Sequence, residues 1–147
     1  MLKLAVLISG RGSNMMKLAE AIAADQLNAR IAIVISNQHC AGITHAANLG
    51  IQTKVIERQN FTTSCDHDWA IHDAITSLSV DYVFLAGYMT ILGVDFTTAF
   101  AGRLINIHPS LLPDFKGLDT HQRALEAKAK YHGATVYLVT AELDDGP

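Results

Sequence analysis

The chain has 147 residues, of which 50% are apolar, and a formal net charge of −3. This size supports a single domain over residues 1–147 that buries about 68–70% of the surface of its unfolded chain. The charge balance offers neither a basic field for nucleic acid nor an acidic tail. Cys40 and Cys65 lack the spacing of a metal site or of a disulfide framework. We therefore expect a reducing, cytoplasmic setting and no nucleic-acid partner.

The chain opens with an apolar stretch that ends at Ser9 and Gly10. It is too short to cross a membrane and no small-residue cleavage site follows it, so we interpret it as a buried first strand. Further strand-like runs, rich in Val, Ile, Leu and aromatic residues, lie at 29–36, 52–57, 81–87, 103–108 and 135–140. Helical spacing is present at 13–24, 41–50, 65–78 and 120–130.

Apolar strands that alternate with helices predict a Rossmann-like α/β fold. We expect an open, mainly parallel sheet with helices on both faces. Ser13 or Asn14 is predicted to cap the first helix, and Gly50 is predicted to close the second. Ligands of such sheets bind beyond the carboxyl ends of the strands, so the polar residues that follow each strand are the candidate site residues.

The loop after the first strand reads SGRGSN, residues 9–14. The N–H groups of Gly12, Ser13 and Asn14 would open the next helix, and a helix start favours phosphate. A dinucleotide fingerprint is not supported, because Met15 occupies the position of its third glycine and no acidic residue ends the second strand. The loop predicts a simple phosphate, as in a sugar phosphate. A glycine turn without a ligand is the alternative that the loop leaves open.

Asn106 and His108 interrupt the apolar run LINIH just before Pro109. Residues two apart in a strand share a face, so both are expected at the same side of a sheet end. An amide can stabilise an oxyanion, and an imidazole can transfer a proton. The pair suits addition to a carbonyl group. The alternative is a pair of polar residues satisfied by loop backbone.

A second polar cluster, AELDDGP, follows the run 135–140. Asp144 or Asp145 would lie beside His108 if the two strands are neighbours, and a carboxylate there would raise the histidine pKa. An acidic turn is the alternative, because Asp-Asp-Gly-Pro favours turns. The remaining histidines have no partners at ligand spacing, so we expect no metal site.

Five motifs occur together in one order along the chain. They are SGRGSN at 9–14, LAGYMTIL at 85–92, AGRLINIHPSLLPDFKGLDTHQRALE at 101–126, HGATVYLV at 132–139 and ELDDGP at 142–147. In these motifs the chain resembles the folate-dependent formyltransferase family over essentially its whole length. N-x-H-P-S-L-L-P is typical of the wider family, and GLDTHQRALE resembles its phosphoribosylglycinamide formyltransferase branch, which acts in purine synthesis.

The resemblance implies transfer of a formyl group from 10-formyltetrahydrofolate, as co-substrate, to the amine of 5′-phosphoribosylglycinamide, without a metal. It implies that Asn106 stabilises the oxyanion of a tetrahedral intermediate, that His108 donates a proton, and that Asp144 raises the His108 pKa. Gly12, Ser13 and Asn14 would bind the phosphoribosyl group. The implied folate-binding residues are Ser64, Met89, Thr90, Ile91, Leu92, Asn106, Thr140, Ala141, Glu142 and Leu143.

The chain departs from the family pattern at two implied folate contacts, because Thr90 and Ser64 stand where the bacterial enzymes often carry basic residues. Members of the family also continue into a further strand and a C-terminal helix. We therefore expect a C-terminally truncated domain that is less stable and weakly active. The oligomeric expectation is a monomer or a homodimer. Two alternatives remain: a formyltetrahydrofolate hydrolase, or a catalytically weak phosphate-ligand-binding fragment.

Overall fold

The computed structural model describes residues 1–108 and 135–138, with the backbone alone at 107, 108 and 135–137. Its strands are β1 Leu2–Ile8, β2 Ala29–Ser36, β3 Thr53–Val55, β4 Tyr82–Leu85, β5 Leu104–His108 and β6 Thr135–Leu138. Its helices are α1 Ser13–Ala23, α2 Ala41–Asn48, α3 Ser64–Thr76 and α4 Val94–Ala99, with a 3-10 turn at Arg58–Asn60.

The strands form one sheet in the order β3-β2-β1-β4-β5-β6. The first five strands of this order are parallel to one another, and β6 pairs antiparallel with β5. The predicted mainly parallel, Rossmann-like sheet is therefore confirmed. The chain proceeds outward from β1 through β2 to β3, then returns to place β4 on the other side of β1. This reversal makes a switch point between β1 and β4, where open α/β sheets bind their ligands.

Strand β1 is buried on both faces, as its continuous apolar sequence indicates. On one face, Val6 and Ile8 belong to a cluster with Met15 of α1 and Ala46 of α2. On the other face, Ala5 and Leu7 belong to a cluster that includes Ile71 and Ile75 of α3 and Phe96 and Phe100 from α4 and its end. Helices therefore cover both faces of the sheet, as predicted.

Helix ends agree with the sequence in one case and disagree in another. Gly50 closes α2 at φ 77, and its N–H donates to Ala47 O while Ile51 N–H donates to Ala46 O, which is a Schellman arrangement. The predicted cap of α1 by Ser13 or Asn14 is wrong. Gly12 is the N-cap residue in the left-handed region, and no side chain caps this helix.

Helix α4 was not predicted from the sequence. Its six residues, VDFTTA, span fewer than two turns, which is too short for a helical period to emerge. It starts after Gly93, whose N–H donates to the Asp68 carboxylate of α3 at 3.0 Å. The start of α4 is thus defined by a residue 25 positions away in the sequence. The predicted helix at 120–130 lies outside the described residues.

Candidate functional site

The loop between β1 and α1 lies at the switch point of the sheet. Gly12 is buried with φ 74 and ψ 30, and its carbonyl accepts from Met16 N–H at 2.8 Å, which starts α1. Ser13 is exposed and Asn14 is half-buried. Because both belong to the first turn, their N–H groups have no partner within the helix. The loop therefore has the geometry of an anion-binding helix start, and it carries the three residues predicted to bind phosphate.

Helix α2 packs on this loop through a glycine that sequence reasoning missed. Gly42 N–H donates to Gly10 O at 3.0 Å. A Cβ atom added at Gly42 would lie 2.5 Å from Ile8 Cδ1, 2.7 Å from Gly10 O and 3.2 Å from Gly12 N. The close approach of α2 to the loop therefore requires glycine at this position. The sequence signal was a glycine in the first turn of a predicted helix, where it otherwise costs stability.

A chain of side-chain hydrogen bonds crosses the carboxyl ends of β1, β2 and β4. The Ser9 hydroxyl donates to Asn37 Oδ1 at 2.8 Å and accepts from Met89 N–H at 2.9 Å. Asn37 Nδ2 donates to Thr90 Oγ1 at 2.7 Å. Gln38 Nε2 donates to the Ser9 carbonyl at 2.5 Å. The network joins the loop between β1 and α1 to the segment that follows β4.

That segment contains four of the predicted folate-binding residues. Met89 and Ile91 are exposed by 60% and 76%, whereas Thr90 and Leu92 are half-buried. Exposed apolar side chains beside a ligand-binding crevice provide a surface on which a flat ring can pack. Ser64, the fifth, is exposed at the start of α3 and lines a cavity of about 150 Å³ with Gly93. The fold thus brings Ser64 close to the end of the segment.

Tyr88 precedes this segment and is largely buried. Burial raises the pKa of the Tyr88 phenol well above its ordinary value, the Asp68 carboxylate raises it further, and the Thr90 side chain acts in the opposite direction. Among the described residues the Tyr88 hydroxyl forms no hydrogen bond of acceptable geometry. Tyr88 therefore remains a neutral phenol at neutral pH, unlike a catalytic base.

Strand β5 carries the pair that sequence analysis singled out. Asn106 is half-buried and lies opposite Leu85 of β4, so it borders the strand at the switch point. His108 is the last residue of β5, with its backbone opposite Thr135 of β6. The predicted strand is therefore confirmed, and Pro109, which was predicted to end it, lies outside the described residues. Of His108 the structure describes the backbone alone.

The predicted contact between His108 and Asp144 depends on β5, which carries His108, and on β6, which precedes Asp144 in the chain. These two strands are neighbours in the sheet. They are antiparallel, however, with Leu138 opposite Ile105, so the described part of β6 leads away from the carboxyl end of β5. Proximity of Asp144 to His108 therefore remains a prediction. Asp144 lies outside the described residues, as do four predicted folate-binding residues: Thr140, Ala141, Glu142 and Leu143.

The described part of the chain consists of residues 1–108 and 135–138. Within them, no group of three or more His, Cys, Asp or Glu side chains is arranged to hold a metal ion. No helix in these ranges is long and apolar enough to span a membrane. Cys40 is half-buried and Cys65 is exposed, and both are free thiols.

Comparison with known proteins agrees with this geometry. A family model described as "Formyl transferase" matches residues 2–147. The chain is 48% identical to phosphoribosylglycinamide formyltransferase of Haemophilus influenzae, over 99% of this chain and 69% of that protein. The chain belongs to the formyl transferase family. It is also 41% identical to human trifunctional purine biosynthetic protein adenosine-3, over 98% of this chain and 14% of that much longer protein.

Solved structures of this family share the fold. Glycinamide ribonucleotide transformylase 1 from Symbiobacterium toebii matches with a TM-score of 0.97 at 36% identity, covering 100% of this chain and 70% of that one. The phosphoribosylglycinamide formyltransferase of Coxiella burnetii, solved in complex with CHES, matches with a TM-score of 0.94 at 40% identity. That match covers 99% of this chain and 69% of the other. The resemblance inferred from the motifs is thereby confirmed.

Proposed function

We propose that this chain transfers a formyl group from 10-formyltetrahydrofolate to the amine of 5′-phosphoribosylglycinamide, a step of purine (IMP) biosynthesis. The observation that carries the proposal is the position of β5. This strand ends in Asn106 and His108 and pairs with β4, which flanks the switch point of the sheet. Membership of the formyl transferase family supports the same reaction. The family's substrates are small molecules, in agreement with a crevice of this kind.

The phosphoribosyl substrate would bind at the start of α1. Gly12, Ser13 and Asn14 supply N–H groups that open a helix of 11 residues, and the partial positive charge there favours a phosphate dianion. A phosphate held at this end of β1 lies on the same edge of the sheet as the carboxyl end of β5. The amine at the other end of the substrate would then extend across β4 towards Asn106.

Formyl transfer needs an oxyanion stabiliser and a route for one proton. The substrate amine attacks the formyl carbon, a new C–N bond forms, and the carbonyl oxygen becomes an oxyanion. The Asn106 amide would donate to that oxygen, an effect on the order of 10²–10³ in rate. The bond to folate N10 then breaks, and the proton lost by the amine ends on N10. His108 would carry that proton, worth on the order of 10²–10⁴, with Asp144 raising its pKa.

The folate would lie against the segment after β4. Met89 and Ile91 offer exposed apolar side chains to its ring, beside the half-buried Thr90 and Leu92. Ser64 would border the same site, and the folate contacts proposed from resemblance also include Asn106 and the stretch 140–143. Thr90 and Ser64 are hydroxyl residues, so neither supplies a cation to the glutamate tail of folate. We expect weaker attraction to that tail than in relatives with basic residues there.

The deciding assay mixes the chain with 10-formyltetrahydrofolate, with and without 5′-phosphoribosylglycinamide. Loss of formyl from the folate only when the amine is present supports the proposal. Loss without the amine would instead identify a formyltetrahydrofolate hydrolase, in which water replaces the amine. No loss under either condition would leave a phosphate-ligand-binding fragment and would overturn the transferase proposal.

His108 is tested by substitution in the same assay. His108→Ala should reduce turnover by on the order of 10²–10⁴ while retaining binding of the phosphoribosyl substrate. His45→Ala is the matched control, because His45 is an exposed histidine of α2 outside the proposed site. Turnover that is unchanged in His108→Ala would remove the proposed proton-transfer role.

We propose a cytoplasmic protein, because two free thiols are typical of a reducing compartment. The formal charge of −3 gives no support to a nucleic-acid partner. A single domain over residues 1–147, as a monomer or a homodimer, is proposed, and size-exclusion chromatography with light scattering would distinguish these two states.

A further inference from the structure

The segment after β4 has little backbone support of its own. It has no regular secondary structure between β4 and α4, and within the described residues the N–H groups of Thr90, Ile91 and Leu92 make no backbone hydrogen bond. Its backbone is held at its two ends, by Ser9 Oγ at Met89 N–H and by Asp68 Oδ2 at Gly93 N–H. A segment with exposed apolar side chains and so few backbone bonds depends on side chains for its shape.

The side chains that fix its centre come from the other half of the sheet. Asn37, which follows β2, donates to Thr90 Oγ1 at 2.7 Å and accepts from the Ser9 hydroxyl at 2.8 Å. Ser9 is only 3% exposed, so its hydroxyl has no substitute partner in solvent. A chain of three side chains therefore connects the loop after β1 to the middle of the segment, across 53 residues of sequence between Asn37 and Thr90.

We propose that Asn37, supported by Ser9, is a positioning residue for the folate substrate, which it aligns by holding Thr90 and the segment 89–92 against the loop after β1. This inference rests on the proposed function, and it assigns a role to two residues that sequence analysis did not place in the site. Ser9 lies three residues before Gly12, the first of the residues proposed to bind phosphate. The same network therefore sets the distance between the two substrate-binding segments.

Removal of the Asn37 amide leaves Thr90 Oγ1 without its donor and frees the centre of the segment. A lost hydrogen bond of this kind is worth about 0.5–1.5 kcal/mol, which corresponds to a two- to tenfold change in affinity at about 1.4 kcal/mol per factor of ten. We expect Asn37→Ala to weaken binding of 10-formylfolate, used as a stable folate ligand, by about two- to tenfold. Binding of 5′-phosphoribosylglycinamide should weaken by less than twofold.

The test is a double-mutant cycle read by isothermal titration calorimetry with each ligand. Thr90→Val removes the acceptor oxygen and should weaken 10-formylfolate binding, whereas Thr90→Ser retains the oxygen and should bind 10-formylfolate more tightly than Thr90→Val. If Asn37 acts through Thr90, the double variant Asn37→Ala with Thr90→Val binds no more weakly than the weaker single variant. Asn48→Ala is the matched control, because Asn48 is exposed at the end of α2.

Several outcomes would overturn the inference, and they differ from failure of the proposed function. Additive losses in the double variant, or equal weakening of both ligands by Asn37→Ala, would show that Asn37 does not act through Thr90 on the folate side. Wild-type affinity in both single variants would show the same. If the unmodified chain binds neither ligand, the proposed function itself is overturned. Circular dichroism of each variant, with Thr90→Val as the milder change, establishes that losses arise in folded protein.

Discussion

Gly42→Ala tests whether the contact between α2 and the loop after β1 shapes the phosphate site. The added Cβ would lie 2.5 Å from Ile8 Cδ1 and 2.7 Å from Gly10 O, where ordinary contact begins at 3.4 Å. The end of the Ile8 side chain can rotate away. The Gly10 carbonyl is part of the backbone and cannot rotate away. Ordinary contact with it therefore requires α2 and the loop to separate by about 0.7 Å, the difference between 3.4 Å and 2.7 Å.

The magnitude follows from overpacking and from the phosphate contacts. Overpacking of this kind costs about 1–3 kcal/mol, and each kcal/mol lowers the Tm of a chain of this size by about 2–4 °C. Loss of one charge-assisted hydrogen bond to phosphate costs about 1.5–3 kcal/mol, or roughly a factor of 10 to 100 in affinity. We expect both effects in Gly42→Ala, because displacement of the loop changes the direction of the N–H groups at Gly12 and Ser13.

The assay is thermal unfolding by circular dichroism, with titration of 5′-phosphoribosylglycinamide and of inorganic phosphate. Gly10→Ala is the matched control, since a Cβ at Gly10 meets no atom within 4 Å and its φ lies outside the left-handed region. A Gly42→Ala variant with the Tm and the phosphate affinity of Gly10→Ala would refute the reasoning. A lower Tm with unchanged affinity would refute the link between this contact and the phosphate site.

Three further predictions concern stability. Gly50→Ala should lose about 1 kcal/mol in chemical denaturation, because φ 77 is unfavourable for alanine although no atom obstructs its Cβ; an unchanged midpoint would contradict this. His67→Phe should lose about 1–3 kcal/mol, because His67 Nε2–H donates to the Ile56 carbonyl at 2.6 Å in a fully buried site; equal stability would show that the bond contributes nothing. Tyr88→Phe should match or exceed wild-type stability by up to about 1 kcal/mol, since it removes a buried hydroxyl without a partner among the described residues. The pKa of the Tyr88 phenol is raised in the folded chain, so the phenol of the unfolded chain loses its proton at a lower pH. The wild-type chain should therefore lose stability as pH rises above about 10, and Tyr88→Phe should lose less. Parallel pH profiles of stability would contradict this.

Predictions that rest on local pattern were the ones that the structure confirmed. Apolar runs with few polar interruptions identify buried parallel strands, and β1, β2 and β5 lie where those runs lie. The glycine at position 50 closes α2 because a left-handed residue is needed there, a requirement of local backbone geometry. The prediction for Ser13 and Asn14 failed because a left-handed Gly12 begins α1 one residue earlier than a side-chain cap would.

Contacts between distant segments were outside the reach of sequence reasoning. Met89 N–H donates a hydrogen bond to Ser9 Oγ across 80 residues of sequence, and neither residue type predicts this contact. In the sequence, Gly42 is an ordinary glycine of a predicted helix, and its role becomes visible only when α2 packs on Gly10. Likewise, α4 begins at the position where Gly93 N–H donates to the Asp68 carboxylate. Each of these depends on which strands become neighbours, a property of the strand order that no local pattern encodes.

The kind of fold, and the side chains offered at the end of β5, follow from the amino-acid sequence alone. Alternating apolar runs and helices allow few arrangements other than a parallel sheet covered on both faces, and Asn106 and His108 are two residues apart in any such strand. That β1, β2 and β4 end together at one switch point becomes visible only in the folded sheet. The physical reason is that hydrogen bonds such as those of Ser9, Asn37 and Thr90 form only once sheet order has brought their loops within 3 Å.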